Sequence, residues 1–138
     1  MLSTFKHALP LIATNGAVVA IGSLNSWHGD PNLASYVASK HAVLGLVRSA
    51  ALDLGRRGIR VNAVGPGPIA TDALLARIDR RERELGIPRA DALAAMAAST
   101  ALGRMATVDE VAGAVLFLAS DLASGITGQL LQVDAGFS

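Results

Sequence analysis

Two short apolar runs, "GAVVAIG" at 16–22 and "IRVNAV" at 59–64, constrain this chain more than any other feature. Each is flanked by glycine and rich in valine, isoleucine and alanine. Neither shows the strict apolar/polar alternation of a half-exposed strand, so both read as strands covered on two faces. Between them, from about Asn32 to Leu54, the pattern is helical. Ala38, Ala42, Val43, Leu46 and Val47 share one stripe, and the Gly-Arg-Arg-Gly of 55–58 ends it. Strand, crossover helix and strand joined in this order make a right-handed unit with parallel strands.

The remaining segments extend that unit. Residues 1–13 read as the end of an amphipathic helix, closed by a turn at "TNG". "GPGP" at 65–68 forces a turn before a helical stretch from about Thr71 to Leu85. Pro88 opens a second, alanine-rich helical stretch that reaches about Leu102. "TVDE" at 107–110 is a capping box, in which Thr107 caps and Glu110 reaches back, and its helix runs to about Ser120. "QLLQV" at 129–133 is the last strand. The expected fold is α/β, a parallel sheet of about three strands under helical layers, in one domain over residues 1–138.

Composition then removes whole classes of function. With 51% hydrophobic and 17% charged residues, the chain is globular. A net charge of +1 from interspersed acids and bases argues against a nucleic-acid partner held by electrostatics. No cysteine means no disulfide and no thiolate metal site, which suits a reducing compartment, and the cytoplasm is the expected location. His7, His28 and His41 lack metal-site spacing. "MLSTFKHALPLIA" lacks the cleavage site of a signal peptide, and no apolar stretch approaches the ~20 residues of a membrane span.

The chemistry concentrates in "YVASK" at 36–40, which holds the only tyrosine and one of two lysines. Residues four apart share a helix face, so the Tyr36 hydroxyl and the Lys40 ammonium converge. A free phenol has a pKa near 10, and a nearby cation favours the phenolate, the form able to exchange protons with a carbonyl or alcohol. Y-x-x-x-K also occurs by chance on many helix faces. Ser23 ends the first apolar run thirteen residues before Tyr36, and a loop of that length can return a hydroxyl to the phenol. "GPGPIA" at 65–70 matches G-x-G-x-x-A, but Pro66 and Pro68 lack the amides a pyrophosphate needs. A rigid turn that directs Thr71 into a cleft is the better account, with simple helix capping by Thr71 and Asp72 the alternative.

Together these segments resemble the C-terminal half of the short-chain dehydrogenase/reductases. The matching stretches are "VVAIGS", "YVASK", "VNAVGPGPIAT", "GRMATVDEVAGAVLFLAS", "ITGQ" and "VDAG", in order and across essentially the whole chain. The resemblance implies a Rossmann-like sheet truncated to the family's last three strands. It implies Tyr36 as general acid/base, Lys40 as its supporting cation and ribose ligand, and Ser23 as the hydrogen-bond partner of the substrate oxygen. Pro66, Gly67, Ile69 and Thr71 would line a nicotinamide alongside Tyr36 and Lys40. Residues 71–102 would form a helical lid whose Leu74, Leu75, Ile78 and Leu93 suit a moderately apolar substrate, unless they are ordinary core. The implied reaction is hydride transfer between NAD or NADP and a small carbonyl or alcohol.

The family's glycine-rich T-G-x-x-x-G-x-G turn, its N-N-A-G strand end and its catalytic asparagine do not occur in the sequence. Dinucleotide binding by the chain alone is therefore expected to be weak or absent, and the NAD/NADP preference is not encoded in what is present. "VDAG" replaces the usual D-G-G, a change expected to be minor. The first apolar run would have an unpaired edge, and such an edge favours a homo-oligomer, a complementary N-terminal half or an extended segment rearranged within the chain. Two other functions fit the same residues. One is a cofactor-free serine hydrolase using Ser23, Tyr36 and Lys40; the other is a non-catalytic assembly module or fragment.

Overall fold

The structure, a computed structural model, describes residues 1–137. Three strands, β1 (Ala17–Ile21), β2 (Arg60–Pro66) and β3 (Leu130–Val133), form one sheet in the order β1-β2-β3. Both pairings are parallel, with Ala17 opposite Arg60, Ile21 opposite Val64, and Ala63 opposite Leu130. Five helices accompany them among the described residues: α1 (Leu2–Ala8), α2 (Ala34–Leu54), α3 (Asp72–Leu85), α4 (Arg89–Ala98) and α5 (Val108–Ala119).

Alternation along β2 divides the core. Val61 and Ala63 meet Val43, Val47, Ala50 and Ala51 of α2, with Ala20, Ile59 and Phe5 completing that layer. Val64 turns to the opposite face and packs with Leu118 of α5 and Ala123, with Val111 and Val115 against them. Asn62 is fully buried: its Nδ2 donates to the Ile126 carbonyl at 2.8 Å and its Oδ1 accepts from the Gln129 amide at 3.0 Å. These two bonds hold the approach to β3 against β2 and fix the register.

Three details depart from the sequence reading. β1 is only partly covered, and Ile21 is 46% exposed, because β1 lies at the sheet's edge while β2 takes the centre. On α2 the seated stripe is Val43, Leu44, Val47, Ala50 and Ala51, whereas Ala38 and Ala42 are exposed. The helix meets the sheet through its C-terminal half, and the half that carries Tyr36 and Lys40 stands largely clear of the core. α4 stops at Ala98 rather than near Leu102. Thr100 ends it: its Oγ1 accepts from the Arg104 amide at 3.1 Å and its backbone bridges to Phe137.

The capping box at Thr107 forms as the sequence predicts, with Glu110 N donating to Thr107 Oγ1 and Thr107 N to Glu110 Oε2. Arg104 adds two bonds to the same carboxylate, at 2.6 and 3.0 Å. Bidentate contact with Arg104, supported by the Thr107 amide, lowers the Glu110 pKa to about 2, and Arg104 is raised in return. Ala135, where the sequence resemblance implies glycine, sits at φ 58°. An L-residue in that region is strained, so the replacement is not neutral.

Candidate functional site

The carboxyl end of β1 is closed tightly onto β2, and glycine makes this possible. A Cβ on Gly22 would lie 2.8 Å from Ser26 Oγ, and one on Gly65 would lie 3.2 Å from the Ser23 carbonyl. Between these contacts the chain turns into a short 3₁₀ segment, Leu24–Ser26, capped by Ser23. Ser23 Oγ accepts from the Asn25 amide at 3.2 Å, and Ser26 Oγ accepts from the Ser23 amide at 3.1 Å. Asn25 and Ser26 are buried, so the Ser23 hydroxyl rests on a fixed base at the end of a strand.

From the first two turns of α2, Tyr36 and Lys40 reach the same place. Tyr36 Oη donates to Ser23 Oγ at 3.5 Å, a long and therefore weak contact. Tyr36 is 43% exposed, so the site is open to solvent. Lys40 Nζ donates to the Gly22 carbonyl at 3.2 Å and stands 5.7 Å from the centre of the Tyr36 ring. The lysine thus shares a helix face with Tyr36, as its spacing requires, while its ammonium is held by the end of β1 and by the ring face. Sequence spacing did not supply the Gly22 carbonyl as its anchor.

The second candidate segment leaves the end of β2. Pro66, Gly67 and Ile69 are half-buried and Thr71 is exposed. Gly67 is required by packing: a Cβ there would lie 2.6 Å from that of Asp134, just past β3. Thr71 caps α3, its Oγ1 accepting from the Leu74 amide at 3.4 Å, so the capping alternative holds in this structure. Its hydroxyl proton is still able to donate elsewhere.

The nicotinamide cofactor implied by the sequence resemblance can be tested against these residues. A hydroxyl pair, an ammonium and a rigid apolar turn lie at the ends of neighbouring parallel strands, where α/β sheets hold ligands, and they fit a nicotinamide ribose and ring. They do not fit a pyrophosphate, because Pro66 and Pro68 offer no amide. Two clefts lie away from these side chains. One, of about 430 Å³, is bounded by Arg104, Glu110 and Asp134; the other, of about 630 Å³, lies between α1 and α2 and is lined by Phe5, Leu9 and Leu46. Among the described residues there is no cluster of three or more His, Cys, Asp or Glu side chains that could hold a metal. No helix among them is long and apolar enough to cross a membrane.

Asn25 is the site residue that the sequence reading missed. Its signal was present in "SLNS", where a serine cap is followed two and three residues later by polar side chains at a strand end.

Comparison with known proteins supplies independent findings. Residues 1–138 match the family model described as Enoyl-(Acyl carrier protein) reductase. Xanthoxin dehydrogenase of Arabidopsis thaliana is 42% identical over 137 residues, which cover 98% of this chain and 48% of that enzyme. A short chain dehydrogenase family protein from Francisella tularensis subsp. tularensis SCHU S4 superposes with a TM-score of 0.92 at 31% identity, covering 97% of this chain and 55% of that one. ElxO, in a structure with NADP bound, superposes with a TM-score of 0.76 at 30% identity, covering 98% and 50% of the two chains. The chain spans about half the length of the curated relatives it matches.

Proposed function

The chain belongs to the short-chain dehydrogenase/reductase family, and on that premise we propose that it carries the reacting half of an oxidoreductase. The reaction is hydride transfer between NAD or NADP and the carbonyl or alcohol carbon of a small molecule. The observation that supports this reading is the convergence of Tyr36 Oη on Ser23 Oγ beside Lys40, all at the end of β1.

Each residue then has a role. Ser23 gives a hydrogen bond to the substrate oxygen and fixes its position. Tyr36 gives its proton to that oxygen when a carbonyl is reduced, and takes it back when an alcohol is oxidised. Lys40, anchored on Gly22, keeps a positive charge beside the ring and contacts the ribose. Pro66, Gly67, Ile69 and Thr71 form the wall against the nicotinamide, with the Thr71 hydroxyl proton available to its carboxamide. The bound nicotinamide supplies or accepts the hydride. Residues 71–102, with α3 and α4, act as the lid, and Leu74, Leu75 and Leu93 give it an apolar inner side; Ile78, only 2% exposed, is a core residue instead.

The elements that would hold the adenosine and pyrophosphate do not occur in this sequence, and dinucleotide affinity of the chain by itself is proposed to be weak. Its assembly partner is a second copy or a complementary chain equivalent to the first half of the relatives, and its compartment the cytoplasm. The experiment follows nicotinamide reduction with cyclohexanol and millimolar NAD⁺ or NADP⁺. It is run with the chain alone and with the first half of xanthoxin dehydrogenase added as a separate chain. The reading predicts reduction that requires Tyr36. Hydrolysis of 4-nitrophenyl acetate that requires Ser23, with no nicotinamide reduction in either arrangement, would overturn it in favour of acyl transfer.

A further inference from the structure

Among the described residues, only one buried side-chain polar atom lacks a hydrogen-bond partner: Nδ2 of Asn25. Asn25 is 7% exposed and lies two residues beyond Ser23. Native structures leave few such atoms unpaired, because a buried donor without an acceptor opposes folding. This orphan adjoins the candidate site, because the same carboxamide meets the Ser23 hydroxyl.

A count of donors and acceptors at Ser23 gives it a meaning. A serine hydroxyl has one proton and two lone pairs. Here the lone pairs receive the Asn25 amide at 3.2 Å and the Tyr36 hydroxyl at 3.5 Å, and the proton goes to Asn25 Oδ1 at 3.5 Å. The hydroxyl is saturated, and neither it nor Tyr36 has a proton directed outward. Rotation of the Asn25 carboxamide by half a turn exchanges Oδ1 for Nδ2 with little change in shape, and the terminal torsion of asparagine is broad and roughly two-fold. In the rotated position Nδ2 donates to Ser23 Oγ and replaces Tyr36 on its second lone pair. The Ser23 and Tyr36 protons are then both released toward an incoming oxygen. The exchange gives up two long contacts of 3.5 Å and moves Oδ1 into the unpartnered buried place that Nδ2 leaves, so each position leaves one carboxamide atom unpaired and the two lie close in energy.

We propose that Asn25 is a positioning residue, whose carboxamide turns between two positions and thereby directs the Ser23 and Tyr36 protons together onto a substrate oxygen. This rests on the reading of Ser23 and Tyr36 as the substrate-facing pair.

Two measurements on the 138-residue chain test it. The first needs no turnover: ¹⁵N relaxation dispersion of the Asn25 side-chain amide. Two exchanging positions are expected in the wild type, and exchange should disappear in Ser23→Ala, which removes the group the two positions share. A single position without exchange, or exchange indifferent to Ser23→Ala, overturns the proposal. The second compares turnover of Asn25→Asp and Asn25→Ala in the complemented nicotinamide assay. Aspartate keeps the shape but only accepts, so it should hold the Ser23 proton and lower kcat by about tenfold with KM little changed. Its rate should recover as pH falls and the carboxyl regains a proton to donate, a limb that Asn25→Ala lacks. Equal losses in both variants without acid recovery would reduce Asn25 to a packing role. If no nicotinamide turnover is found at all, the functional reading fails, while the relaxation measurement still decides the proposal.

Discussion

Replacing Asn62 by leucine should destabilise the fold by breaking the two hydrogen bonds that hold the approach to β3 against β2. Asn62 is fully buried, and its carboxamide is used at both ends, at 2.8 Å to the Ile126 carbonyl and 3.0 Å from the Gln129 amide. Leucine keeps the branched outline with more bulk and leaves both part-buried backbone groups without these partners. An unpaired group costs about 1–3 kcal/mol when fully buried and less where water reaches it, so the pair costs about 2 kcal/mol. Against the ~5–15 kcal/mol by which domains are stable, that is a large fraction of the total. The neighbouring contacts do not replace what is lost: Gly128 N already donates to the Val61 carbonyl at 2.7 Å, and Thr127 Oγ1 already accepts from Val61 N at 3.0 Å. Urea unfolding followed by circular dichroism measures the effect. If Asn62→Leu lies within about 0.5 kcal/mol of wild type, as an ordinary surface change would, these bonds do not secure β3 and the reasoning is refuted.

Three further outcomes follow from other parts of the structure. Ala135→Gly should raise the thermal midpoint, because it relieves a φ of 58° worth about 1 kcal/mol; a lower midpoint would show that the alanine methyl contributes more than the strain costs. Glu110 has its folded pKa lowered to about 2, first by the hydrogen bond from Arg104 and then by the Thr107 amide. Its contribution is therefore present above the ordinary carboxylate range and is lost as pH falls toward 2. Carboxyl-detected NMR should show Glu110 titrating well below the ordinary carboxylate range, and Arg104→Ala should return it toward that range. Calorimetry with NAD(H) or NADP(H) should give a dissociation constant for the chain alone weaker than ~1 mM, and micromolar binding would show that a pyrophosphate site exists elsewhere.

How much of this was legible in the sequence depends on the range of each interaction. The strands, their parallel sense and the helix between them follow from local pattern, and the capping box at Thr107 follows from four consecutive residues. Tyr36 and Lys40 are one helical turn apart, so their shared face was readable too. Pairings across the fold were less so. Lys40 finds the Gly22 carbonyl only because α2 packs against β2 and against the turn that follows β1. Exposure was hardest to foresee: "GAVVAIG" looks like an interior strand, but β1 lies at the sheet's edge and Ile21 is half-exposed. Asn25 was missed for a similar reason. A polar residue in a loop attracts no notice until its burial and its unpaired nitrogen are seen.

The central claim is that Tyr36 moves the proton that accompanies hydride transfer. Its most direct test is the rate of nicotinamide reduction by cyclohexanol, in the complemented assay, for wild type and Tyr36→Phe. Phenylalanine keeps the ring beside Lys40 and removes only the hydroxyl that meets Ser23, and circular dichroism should show the same fold. The account predicts a fall in kcat of ~10²–10⁴, the loss typical of a missing general acid/base. A Tyr36→Phe variant that turns over at the wild-type rate would contradict it.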